Sequence, residues 1–374
     1  MDTYDVIIIG GGLAGITAAL HLKRENYHIA VFEKQDYPHH KVCGEYVSNE
    51  IVPYLESLGV VLPKNIQINE MVLSTVVGKS LRAKLPLGGL GISRFALDTA
   101  LYARAVAMGV VFIPENVVSA AFVKDTFLVE DQKENKYNSQ FVIGAYGKRD
   151  TLDKRLDRHF TRSRSPWLAI KAHYRLDTFP DNEVGLHNFR GGYGGLSKTE
   201  SGAVNFCYLT SYESFKKEKD IEHFNKNVVA KNPYLSHFLD KAEMIFASPL
   251  TIGQISFDKK KSVEAHMIMC GDTAGLIHPF CGNGMAIAVH SAKIASQLLH
   301  RYFMDPDYQR HQVESDYTLL WENTFGRRLW TGRQLQSVLL KQGISGLAMG
   351  TIGRFPTLLQ KLIRETHGKI IETV

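Results

Sequence analysis

A run of β-branched residues that ends on a cluster of glycines constrains this chain more than any other feature. Val6-Ile7-Ile8-Ile9 reads as a central parallel strand buried on both faces, and Gly10-Gly11-Gly12-Leu13-Ala14-Gly15 follows at once. Residues 16–24 then read as a helix rich in Ala and Leu, and residues 28–32 as a second strand ending at Glu33. Each residue type in this βαβ unit has a physical task. Gly10 permits the tight turn, Gly12 lets backbone approach a pyrophosphate, and Gly15 lets the helix pack closely on the strand. The helix N-terminus offers free N–H groups and a partial positive charge to phosphate. Glu33, 18 residues beyond Gly15, can accept the hydroxyls of an adenosine ribose and would repel a 2′-phosphate. The unit predicts dinucleotide binding and leaves NAD and FAD both open.

Later segments bear on that choice. Lys41-Val42-Cys43-Gly44-Glu45-Tyr46-Val47-Ser48 is polar, contains a glycine and precedes an amphipathic helix over 50–58. Gly91-Ile92-Ser93-Arg94 opens a helix over 95–108 whose Leu97, Leu101 and Ala105 form a core stripe. Arg94 at that N-terminal end opposes the helix dipole and is useful only beside phosphate or flavin. A strand over 266–270 leads into Gly271-Asp272-Thr273-Ala274-Gly275, and His278-Pro279-Phe280-Cys281-Gly282-Asn283-Gly284-Met285 opens a long Ala-rich helix. Asp272 suits a ribityl hydroxyl, and the N–H groups of Gly284 and Met285 suit the N1/C2 edge of a flavin, where a helix dipole favours the anionic reduced form. His278, beside that flavin position, could shuttle a proton. His39-His40 reads as an exposed loop pair.

In these four ordered motifs the chain resembles the FAD-dependent oxidoreductases of the p-hydroxybenzoate hydroxylase fold, most of all the geranylgeranyl reductase family, over nearly its whole length. The resemblance implies an α/β fold: a Rossmann-like FAD/NAD(P)-binding domain, an inserted antiparallel β-sheet substrate domain and a C-terminal helical segment. It implies that the adenosine end of FAD rests on Gly10, Gly12, Ala14, Gly15, Glu33 and Lys34, with the main chain at Val118 over adenine. Lys41 and Arg94 would line the diphosphate and ribityl region. Cys43 and Gly44 would lie near the isoalloxazine, with Gly271, Asp272, Gly282, Asn283, Gly284 and Met285 completing the cofactor site. His278, Cys43 and Tyr193 are the catalytic candidates.

The pattern also departs from its relatives. Tyr146 stands where the fold carries an Asp associated with flavin and NAD(P)H handling, and Ser291 stands where aromatic hydroxylases place an Asp. The halogenase Trp-x-Trp-x-Ile-Pro signature cannot be built from Trp167, Trp321 and Trp330. Of the reductase Tyr-Gly-Trp-x-Phe-Pro stretch only Tyr193 and Gly194 match, and Gly195 in place of Trp opens space over the expected flavin face.

The 374 residues are 44% hydrophobic and 22% charged, enough for a sizeable core, and exclude disorder and coiled coil. Four cysteines, Cys43, Cys207, Cys270 and Cys281, form no C-x-x-C pair, so neither zinc nor a disulfide scaffold is indicated. A net charge of +6 without a basic run argues against nucleic acid. Asp2 and Asp5 before the first apolar run argue against a signal peptide, and a cytoplasmic protein is expected, with peripheral membrane contact as an additional reading. The predicted organisation is a discontinuous FAD domain (1–66, 91–160, 262–306), a substrate domain (67–90, 161–261) whose sheet includes 168–174 and 203–209, and a helical cap (307–374). Tyr193, Asn205, Cys207 and Tyr208 are expected to line the substrate pocket. The cap carries a stripe of Trp321, Phe325, Leu329, Leu335 and Leu339 and a last amphipathic helix over 355–363, the part that would touch a membrane. The expected partners are a hydrophobic small-molecule substrate and NAD(P)H or an external electron donor, since no second glycine motif follows a strand. The leading reaction is reduction of a carbon–carbon double bond of an isoprenoid, lipid or polyketide-like substrate. The alternative reactions are a monooxygenase acting on a hydrophobic or aromatic substrate, a flavin-containing carrier without turnover, and an NAD-dependent dehydrogenase.

Overall fold

The computed structural model describes residues 1–278, 282–339 and 368–373. Two sheets organise them. The first has eight strands and a parallel core in the order Met267–Met269, Lys136–Gly144, Asp2–Ile9, Ile29–Phe32, Val111–Ile113. Val263–Glu264 pairs antiparallel with Met267–Met269 at one edge, and Val117–Val123 and Thr126–Asp131 form an antiparallel meander onto Lys136–Gly144. Val6, Ile7 and Ile8 have no solvent exposure, as a doubly covered strand requires. Helices Leu13–Arg24 and Gly284–Met304 pack together over the same core.

The second sheet has nine strands, in the order Glu243–Met244, Trp167–Arg175, Val204–Ser211, Gly192–Lys198, Glu183–Phe189, Ile66–Ser74, Ser80–Gly91, Tyr46–Ser48, with Leu250–Gly253 also on Trp167–Arg175. It is not wholly antiparallel as expected: Ile66–Ser74 and Glu183–Phe189 run parallel. These strands come from distant stretches of chain, so no hairpin dictates their direction. Tyr46–Ser48, from the segment assigned to the cofactor domain, pairs here with Ser80–Gly91. Strand alternation divides Trp167–Arg175 cleanly. Leu168, Ile170, Ala172 and Tyr174 join a core with Phe224, Leu235 and Phe238 of the covering helices, and Ala169 joins Tyr193 and Leu276 in a separate cluster.

Helix starts follow local chemistry. Ser93 caps Arg94–Ala107 by accepting from Ala96 N, and Asn232 caps Pro233–Lys241 through Tyr234 N and Leu235 N. Beyond these, Arg310–Trp321 leads through one π-helical turn into Arg327–Leu339. Trp321, Phe325 and Leu329 are buried as the stripe predicts, and Trp321 and Leu329 stand against Gly275. Residues 368–373 return to the body, where Ile371 N donates to Glu50 O. Pro279, Cys281 and the predicted helix 355–363 lie outside the described residues, as do the side chains of Leu335 and Leu339. Among the described residues no helix is long and apolar enough to cross a membrane.

Candidate active site

A cavity of about 670 Å³ runs from the glycine turn of the first sheet to the inner face of the second. Its polar end is built by the βαβ unit. Gly10 has φ +105, and a side chain there would strike Ala145 O at 2.5 Å. A Cβ on Gly15 would lie 1.9 Å from Gly10 O, so Gly15 supports the cavity from behind rather than lining it. Gly12 differs. Its φ is −82, and the nearest atoms to an added Cβ are Arg94 Nη2 at 3.8 Å and Lys41 Nζ at 3.9 Å. Two cations therefore converge on the space that the missing side chain leaves open.

Asp98 holds both cations there. Arg94 donates to it through Nε and Nη2, each at 2.7 Å, and Lys41 Nζ donates at 3.0 Å. Burial opposes the charge on Asp98, yet Arg94 and Lys41 outweigh it and hold the carboxyl below its usual range. Lys41 is thus a placed charge, not a freely solvated one. Glu33 lines the same end, with Oε2 accepting from Gly11 N at 3.1 Å and Oε1 from Gln35 N at 3.1 Å, and Lys34 follows beside Asp150 at 3.7 Å. This donor set, an open glycine position flanked by two cations and a ribose-competent carboxylate, fits the diphosphate and ribose of FAD.

The middle of the cavity is lined by Cys43, Gly44, Gly271, Asp272, Gly282, Asn283, Gly284 and Met285, with Ala14 nearby on the same wall. Cys43 Sγ lies 3.8 Å from Met285 Sδ. Gly271 N donates to Ser291 Oγ at 2.9 Å, so the small residue at 291 ties the Gly-Asp turn to the following helix. Lys260 Nζ donates to Asp272 O at 2.8 Å, and burial pulls its ammonium down to about 8. Tyr146 lines the cavity and donates to Asp153 Oδ1 at 3.1 Å, which is itself paired with buried Arg158 at 2.9 Å.

The far end is apolar, with Leu73, Leu85, Leu186, Leu196, Ile252 and Ile255 among its lining residues. Tyr193, Cys207 and Tyr208 line the cavity, whereas Asn205 turns its Nδ2 to Cys43 O at 3.2 Å. An added Cβ on Gly195 would meet nothing nearer than 3.6 Å, so this position is open.

Several expected positions differ. Val118 is not on the cavity wall: its carbonyl accepts from Arg155 Nη1, and Glu115, Asn116 and Val117 line that end instead. His278 also stands off the wall, against the rings of Tyr193 and Phe257 at 5.3 and 5.0 Å, and burial drives its imidazole down to about 3. His40 is not an exposed loop residue. It lines the cavity and packs on Phe95, His173 and Phe246 at 4.8, 5.1 and 4.7 Å.

Sequence reading also passed over a buried charged cluster. Glu45 Oε1 accepts from Lys171 Nζ at 2.5 Å and from Arg94 N at 2.8 Å, and its Oε2 lies 2.6 Å from His173 Nε2. Lys171 Nζ also donates to Lys41 O at 3.0 Å. Burial works against the Glu45 carboxylate, but the His173 and Lys171 bonds hold it below its usual range. The signal was Lys171 and His173 alternating with apolar residues on one strand.

Comparison with known proteins agrees with this geometry. Residues 5–42 match the family described as FAD dependent oxidoreductase. The conditioned medium factor receptor 1 of Dictyostelium discoideum is 25% identical over 86% of this chain and 68% of its own length. The digeranylgeranylglycerophospholipid reductase of Thermoplasma volcanium is 23% identical over 98% of this chain and 94% of its own. A flavin-dependent brominase superposes with a TM-score of 0.77 at 16% identity, covering 97% of this chain and 93% of the brominase. The chain is an FAD-dependent oxidoreductase with the p-hydroxybenzoate hydroxylase fold. Its relatives include geranylgeranyl reductases of Thermoplasma.

Proposed function

We propose that this oxidoreductase reduces a carbon–carbon double bond of an isoprenoid or similarly hydrophobic substrate. The observation that carries the reading is the continuity of the cavity: a cationic end suited to the FAD diphosphate opens into an end walled by leucines and isoleucines, with the Cys43–Gly44 segment between them. Bound and reduced FAD would supply the hydride. The chain's own residues bind, orient and protonate. Lys41 and Arg94, held by Asp98, would anchor the diphosphate, and Glu33 the ribose. The N–H groups at the start of Gly284–Met304 would face the flavin ring and favour negative charge on it.

Leucine and isoleucine side chains would align the substrate chain and exclude water. Tyr193, on the wall and backed by His278, is the proposed proton source, and Cys43 would lie beside the flavin ring. Segments 1–66, 91–160 and 262–306 would hold the cofactor, 67–90 and 161–261 the substrate, and 307–374 would cap the assembly. Electrons would come from NAD(P)H bound transiently or from a separate donor. A hydrophobic substrate makes peripheral contact with a membrane part of the same reading.

The FAD-loaded protein, reduced with dithionite without oxygen, should be mixed with a geranylgeranyl lipid or an isoprenoid quinone. Anaerobic return of the oxidised flavin spectrum, with product gaining two hydrogens, supports the proposal. Oxidation that requires oxygen, with product gaining one oxygen atom, would replace it with a monooxygenase. The open Gly195 position is compatible with that second reading.

A further inference from the structure

We infer that His40, Glu45 and His173 form a binding site for one divalent transition-metal ion of the zinc class, at the seam between the cofactor segment and the second sheet. One ligand atom from each lies within 4.8 Å of the other two. Two imidazoles and a carboxylate are the donor set that such ions prefer, and three protein ligands leave a fourth position open.

The local environment favours binding over a simple polar contact. Glu45 and His173 are buried at 0% and 5% exposure, so little conformational freedom remains to be lost. His40 Nδ1 is buried and has no hydrogen-bond partner among the described residues, which leaves one ring nitrogen of this imidazole uncommitted. His40 itself is half-buried, which gives an ion a route from solvent. Phe95 and Phe246 wall the imidazole and limit competing water.

Lys171 is the group that opposes a cation, and its geometry divides the carboxylate. Its ammonium takes Oε1 and the carbonyl of Lys41, leaving Oε2 with His173. An ion would occupy the Oε2 side, and the proton now shared by His173 Nε2 and Glu45 Oε2 would leave to solvent. Two of the three ligands, His40 and Glu45, also line the cavity, so the fourth ligand can be water or an anionic group within it. Binding would replace a hydrogen bond with a metal bridge between residues 40–45 and the strand Trp167–Arg175, independently of which substrate the enzyme reduces.

The test uses the full-length FAD-loaded protein, stripped with chelator and titrated with Zn²⁺ by calorimetry, with elemental analysis of the washed protein. One Zn²⁺ per chain is expected, with affinity falling at least about tenfold in His40→Ala and in His173→Ala. An unchanged circular dichroism spectrum and Tm in His40→Ala, whose side chain is only half-buried, would show that the fold persists. Absence of saturable binding by the wild type overturns the inference. So does binding by both variants as tight as that of the wild type.

Discussion

Adding one methyl group at Gly12 and, separately, at Gly15 should divide cofactor binding from folding. Gly12 already has an ordinary φ of −82, and its Cβ would stand 3.8 Å from the nearest atom, so Gly12→Ala is free of strain in the unliganded protein. The methyl instead occupies the space on which Lys41 and Arg94 converge. Displacing a diphosphate from that space forfeits about two charge-assisted hydrogen bonds. At roughly 2 kcal/mol each, the loss is about 4 kcal/mol, or nearly a thousandfold in FAD Kd. Gly15→Ala acts differently. Its Cβ would lie 1.9 Å from Gly10 O against an ordinary limit of 3.4 Å, so helix and turn must part by about 1.5 Å. Overpacking of that kind costs about 1–3 kcal/mol and should lower the Tm of the FAD-free protein by roughly 5 °C. Thermal denaturation followed by circular dichroism, together with FAD titration by flavin fluorescence, measures both quantities. FAD binding by Gly12→Ala within about tenfold of the wild type, or an unchanged FAD-free Tm in Gly15→Ala, would contradict these roles of the two glycines.

Gly195→Arg should fill the open apolar end with a charged side chain, abolishing turnover of a long isoprenoid while FAD content stays stoichiometric; retained turnover would place the substrate elsewhere. Lys171→Met strands a buried carboxylate and should cost about 3–5 kcal/mol in chemical denaturation, with Glu45→Gln in the same chain recovering part of the loss. Undiminished stability in the single variant would contradict the buried-pair reading. Burial lowers His278 to about 3 and both His21 and His187 to about 4, all below an unfolded value near 6.5. The unfolded chain therefore binds more protons between these limits. Stability is full above pH ~6.5 and declines as pH falls, by about 2 kcal/mol per group at pH ~5. Denaturation midpoints across that range check this, and a flat profile would exclude neutral burial of these imidazoles.

Local features carried their meaning in the sequence. The β-branched run, the glycines, Glu33 and the Gly271-Asp272 turn each depend on neighbours a few residues away, and the chain's spacing already displays them. Arg94 was visible as an odd cation at a helix start, and its partner Asp98 stands four residues on. The Glu45–Lys171–His173 cluster was not visible, because its members are separated by 126 and 128 residues and meet only when the segment leading into Tyr46–Ser48 folds against Trp167–Arg175. His40 was misread for the same reason: its neighbours Phe95, His173 and Phe246 come from three distant segments. The parallel pairing of Ile66–Ser74 with Glu183–Phe189 likewise has no local signature, since alternation reports which face a strand buries and not its direction.

The order of strands in the first sheet has a consequence for how the protein is made. Asp2–Ile9 is made well before Lys136–Gly144, the strand it needs beside it, and that strand in turn needs the still later Met267–Met269. The turn at Gly271 is then tied to the following helix by Ser291. Until residue 291 is made the nascent chain consequently has a glycine loop but no completed cradle, and contacts of such long sequence separation form slowly. FAD can rescue or stabilise only a molecule that has been extended past residue 291. A truncation anywhere before residue 291 should produce protein that scarce or abundant flavin supply treats alike.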